Sequence, residues 1–154
     1  MFQPKSLKCF AAQKIINMEI CINIGDIPQN LWDDITILVE LKTLMEEETY
    51  LKLKLCAIQT NKEEAQIEYD RLDVLAQEAM PDLDLLYKFL ADRDFYRRRI
   101  LTMEMWEEIT QTQIRYVVRE EKSLNIPEAY HNIKFNQDHI EYDIEFDMEI
   151  WRFY

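Results

Sequence analysis

The side chains with the means to do chemistry in this chain are 30 carboxylates, two histidines, three cysteines and one cluster of arginines. Paired carboxylates are the raw material of general acid–base catalysis. With acids this abundant, however, spacing does not separate a catalytic pair from a solvated face. Neither His131 nor His139 adjoins a serine or cysteine in a nucleophile motif. The sole glycine, Gly25, rules out both a nucleophile elbow and a glycine-rich phosphate loop, since each needs residues that let the backbone turn sharply or approach an anion closely. Cys9, Cys21 and Cys56 are odd in number and lack metal-ligand spacing, so no zinc cluster is expected and the thiols read as reduced and buried. Arg93, Arg97, Arg98 and Arg99 sit among Asp92, Asp94 and Glu104. Ion pairing on the protein's own surface explains that cluster better than phosphate binding. No catalytic residue, metal or cofactor is expected.

The frame that would carry such residues is small. The chain has 154 residues, roughly one domain's worth. Its 48% hydrophobic and 31% charged content describes a chain able to bury a core. One glycine and four prolines argue against turn-rich all-β folds. The formal charge of -12 disfavours direct contact with nucleic acid, whose affinity comes mainly from Lys and Arg, and with anionic membrane leaflets. No charged leader followed by an apolar run opens the chain, and no run of about 18 apolar residues occurs. A cytoplasmic or nuclear location is the expectation.

Periodicity predicts helices. Leu7, Ala11, Ile15 and Met18 recur on one helical face over residues 5–18, with Phe10 beside them. Gly25-Asp26-Ile27-Pro28 reads as a stop followed by a capped start. From there Leu31, Ile35, Leu38 and Leu41 form a stripe, and helical character continues past Tyr50 to Leu55. Asn61 with Glu64 has the form of a capping box, so a new helix is expected there, carrying Ile67, Leu72 and Leu75 and ending before Met80-Pro81. Asp82 or Asp84 would start a short helix bearing Leu85, Leu86, Phe89 and Leu90. Thr102 would begin another, with Trp106, Ile109, Gln113, Val117 and Val118 on one face, breaking at Asn125-Ile126-Pro127. No internal repeat is evident.

The tail changes period. Ile140, Tyr142, Ile144, Phe146, Met148 and Ile150 alternate with five acids, a pattern that predicts a strand with one apolar and one acidic face. A lone strand is unstable, so it needs a partner such as residues 20–24 or another chain, and it reads as a docking strand. The expected fold is mainly α: an irregular multi-helix domain, with a strand at the C-terminal end.

Ser6-Leu7, then Ala11, then Ile15 resembles the elongin BC box, in which a leucine at a helix start is followed by a small residue and an aliphatic. Ile27-Pro28-Gln29-Asn30-Leu31 resembles the opening of a cullin box or F-box-like helix. Leu72-Asp73-Val74-Leu75, Met80-Pro81-Asp82-Leu83, Leu86-Tyr87-Lys88, Arg93-Asp94-Phe95 and Glu104-Met105-Trp106 follow in the order of the elongin A family. The resemblance covers most of residues 6–119. Ala11 stands where Cys is commoner and Tyr87 where Trp is usual. Residues 42–68 read as an added charged helical segment, and the acidic tail has no counterpart. The resemblance implies a BC-box helix region over residues 1–25, an F-box-like region over 26–124, and a separate tail over 125–154. It further implies binding of elongin C, with elongin B, through Leu7, Phe10, Ala11 and Ile15. A cullin would be recruited through Ile27, Pro28 and Leu31, RNA polymerase II would be the ubiquitylation target, and the location would be nuclear. Two other readings stand beside it: a different BC-box or F-box-like receptor, and a plain helical interaction module in which Leu7 belongs to the core.

Overall fold

The computed structural model describes residues 7–17, 27–131, 133–137 and 140. Its helices are α1 (Leu7–Asn17), α2 (Gln29–Glu78) and α3 (Leu83–Ser123), followed by a 3-10 turn at Glu128–Tyr130. The mainly helical, multi-helix architecture expected from the sequence is therefore present. Two compact units are built from these elements: residues 1–50 with 115–154, and residues 51–114.

The first unit forms around α1. Cys9, Ala12 and Ile16, spaced three and four apart, are buried together with Ile35, Leu38 and Leu41 of α2 and with Tyr130 and Ile133. Ile27, Leu31, Leu124, Ile126 and Phe135 pack around this cluster. Residues 31, 35, 38 and 41 thus occupy the stripe their spacing predicts. The Pro28 carbonyl accepts the amides of Leu31 and Trp32, both at 3.0 Å, which closes the first turn of α2. After α3 the chain turns at Pro127 and runs back along α2, where Gln137 Oε1 lies 2.7 Å from the Thr49 hydroxyl.

The second unit is an antiparallel pair of helical segments. On this part of α2 Leu51, Ile58, Ala65 and Leu72 are buried, each seven from the last, with Ala76 buried in the last turn and Ala79 just beyond it. Met103 and Thr110 repeat the same interval on α3. Burial at a seven-residue interval is what one position of a coiled-coil seam shows. Pairs along the seam fix the antiparallel sense. Lys54 lies over the Trp106 ring at 5.6 Å. Lys62 meets Glu107 at 2.7 Å, and Arg93 meets Asp73 at 2.5 Å. At the turn, Asp82 Oδ1 accepts the Leu85 amide at 3.2 Å and caps α3, as one of the two candidate positions predicts.

No helix starts at Asn61, because α2 passes through it without interruption. None starts at Thr102, because α3 is continuous from Leu83. Both local start signals fall inside the seven-residue register, and burying residues on either side of them outweighs a cap of about 1 kcal/mol. The inward face of α3 also differs: Met103 and Thr110 are buried, whereas Ile109 and Gln113 are exposed, as is Ile67 on α2.

Of the alternating tail only Ile140 is described. It is buried, and its amide donates to the Gln137 carbonyl at 3.1 Å, a turn at that residue where an extended backbone was expected. Tyr142, Ile144, Phe146, Met148 and Ile150 lie outside the described residues.

Candidate docking site

α1 is apolar on nearly every side, so its neighbours decide which face goes inward. Lys8 Nζ sits 2.6 Å from Asp34 Oδ2 on one flank. On the other, Gln13 Nε2 donates to the Lys134 carbonyl at 2.7 Å. Held from both sides, the helix turns Cys9, Ala12 and Ile16 into the cluster. Phe10, Ala11 and Lys14 then point away from it. Phe10 is 59% exposed.

The residues expected to bind elongin C therefore divide. Phe10 and Ala11 are exposed, and Ile15 leans half-buried against the cluster. Leu7 is the first helical residue, four positions before Ala11. Among those expected to contact a cullin, Pro28 is exposed, while Ile27 and Leu31 are half-buried against the same cluster that α1 covers. Of the two sets, Ile15, Ile27 and Leu31 meet at one small core.

The clamp on α1 is a group that sequence reading misses. Tyr130, almost fully buried, donates its hydroxyl to Asp34 Oδ2 at 2.8 Å, and Lys8 lies 5.8 Å from the centre of its ring. The bonds from Lys8 and Tyr130 hold the Asp34 carboxyl below its ordinary range, Lys8 contributing most, against the opposing effect of burial. Burial first, and the bond to Asp34 second, push the Tyr130 phenol above its ordinary range. No local pattern could have found this trio, since Tyr130 is 96 residues from Asp34.

Other candidates for chemistry are dispersed. Arg93 pairs with Asp73 of α2 and stacks 5.7 Å from the Tyr69 ring, not with its expected neighbours Asp92 and Asp94. Arg97 and Arg98 are exposed, and Arg98 Nε reaches the Asp94 carbonyl at 3.4 Å. Cys9 is buried, but Cys56 is exposed, contrary to the expectation for the thiols. Its position in the seven-residue register of α2, two before Ile58, turns it outward. His131 is exposed, and His139 lies outside the described residues. Among the described residues no three His, Cys, Asp or Glu side chains gather as a metal site, and no helix is long and apolar enough to cross a membrane. Comparison with protein-family models, with curated proteins and with solved structures found no match.

Proposed function

We propose that this chain is a non-catalytic adaptor that binds other proteins through helical surfaces, with α1 as its docking helix. The observation that carries this reading is the outward face of α1: Phe10 and Ala11 lie exposed while Cys9, Ala12 and Ile16 are buried in the core. An exposed aromatic next to a small residue on a pinned helix has the form of an anchor that a partner could bury. The resemblance to the BC box gives the partner as elongin C, with elongin B. Ile27, Pro28 and Leu31 beside it are then the cullin-facing set, and RNA polymerase II is the family's target.

Co-expression with elongin B and elongin C tests the proposal. The intact chain should co-purify with the pair, and Leu7→Ala should lose it while keeping its helicity. Loss of an interface anchor of this kind costs about 2 kcal/mol, roughly thirtyfold in affinity. Replacing Ile27 and Pro28 together should spare elongin C and weaken cullin capture. If the intact chain never retains elongin C, the docking assignment fails.

A second reading, a helical interaction module with no ligase role, is favoured by one specific feature. The motifs that resemble the elongin A order from Leu83 to Trp106 lie on a single uninterrupted helix, whereas that resemblance implies a series of short ones. Failure to co-purify, with binding to other helical partners retained, would select it.

A further inference from the structure

α3 carries a second seam, on the side away from its buried one. Phe95, Arg98, Thr102, Met105, Ile109 and Thr112 follow one another at intervals of three and four, and all six are exposed. Phe95 and Met105 are each more than half accessible. None of these six is acidic, and the exposed acids Asp94 and Glu108 border the stripe. The two threonines donate their hydroxyls to carbonyls of their own helix, Thr102 to Arg98 and Thr112 to Glu108, both at 3.0 Å. Their polar groups are therefore satisfied internally, and a partner that covers them leaves no hydroxyl without an acceptor. On the facing part of α2 the exposed Ile67 and Val74 stand among Glu63, Glu64 and Asp70.

We propose that this seam pairs with the same seam of a second copy of the chain, the two α3 helices running antiparallel. The three–four spacing calls for a helix as occupant, because only a helix presents knobs at that interval. Charge selects the copy and its direction. In a parallel pair Arg98 meets Arg98 of the other copy inside the seam, and like charges in contact repel. In the antiparallel pair each residue at one interval faces its complement at the other. Phe95 covers Thr112, Thr102 covers Met105, and Arg98 lies against Ile109 with Glu108 immediately beside it. Two-fold symmetry repeats every contact, so two Arg98–Glu108 pairs flank an apolar centre and no like charges meet. The stripe belongs to the second unit and α1 to the first, and the proposal does not rest on what α1 binds.

Sedimentation or light scattering of the full chain, from micromolar to hundreds of micromolar, tests the proposal. The mass should rise with concentration from 18.7 kDa towards twice that value. Ile109→Lys should keep it at the lower value with helicity unchanged. Arg98→Glu and Glu108→Arg should each weaken association at least tenfold, and the double variant should recover it. Phe10→Ser, on α1, should leave the mass unchanged. A chain that stays monomeric throughout overturns the proposal. So does a dimer indifferent to Ile109→Lys, or a double variant no better than either single one.

Discussion

A single buried phenol decides how the first unit closes. Tyr130 reaches Asp34 across 96 residues of sequence, and Asp34 in turn holds Lys8 of α1. Tyr130→Phe keeps the ring in the core and removes only the hydrogen bond. Bonds to charged groups contribute about 1.5–3 kcal/mol, so a loss near the lower figure is expected in urea unfolding. The pH dependence has a definite sign. Because the folded phenol titrates above its ordinary value of about 10, folding favours the protonated form. That contribution is complete below pH 10 and is lost as pH rises beyond it. The wild type should therefore lose stability above pH 10 more steeply than Tyr130→Phe, and identical alkaline limbs would remove Tyr130 from this role.

At the scale of elements, the seven-residue register governs both long helices. Asn61 looks like a cap, yet it lies in mid-helix, where Ala is better than Asn by roughly half a kcal/mol. Asn61→Ala should accordingly be neutral or slightly stabilising, whereas loss of a real cap would cost about 1 kcal/mol. Thermal unfolding of that one variant separates the two. Thr110 is the register's weak point: it is fully buried, and its Oγ1 has no hydrogen-bond partner. An unsatisfied buried hydroxyl costs about 1–3 kcal/mol, so the near-isosteric Thr110→Val should raise stability by roughly 1 kcal/mol. A decrease would mean that the hydroxyl is being satisfied after all.

For the whole molecule, charge is the controlling quantity. With a formal charge of -12 at pH 7 and a pI near 4.6, mutual repulsion eases as pH falls towards the pI, and solubility should be lowest there. Stability follows a different course. Asp34 and Glu107 both titrate below their ordinary values, Asp34 through Lys8 and Glu107 through Lys62 and then Gln59. Carboxyls with depressed values stabilise the fold above about pH 4 and cease to as pH falls through their folded values. The melting temperature should therefore drop below about pH 4. Lys62→Met should flatten that drop by removing the partner that depresses Glu107, and an unchanged acid limb would take the Lys62–Glu107 pair out of the balance.

The sequence by itself determined the helical class, the stripe from Leu31 to Leu41, the break at Met80-Pro81 and the end of α3 before Asn125-Ile126-Pro127. Each of these follows from local backbone preference or from apolar spacing within one element, and neighbours along the chain suffice to set them. It misled at Asn61 and Thr102, where a local start signal of about 1 kcal/mol competes with a register whose gain appears only once a second helix is present. Tertiary structure alone decided which side of α1 is buried. Leu7, Cys9, Phe10, Ala11, Ala12, Ile15 and Ile16 make that helix apolar nearly all round, so its own pattern cannot orient it. The choice falls to Asp34, which pairs with Lys8, to Lys134, whose carbonyl holds Gln13, and to Tyr130, buried in one cluster with Cys9. A contact formed over about a hundred residues leaves no periodic trace, which is why the outward placing of Phe10 could be learned only from the folded chain.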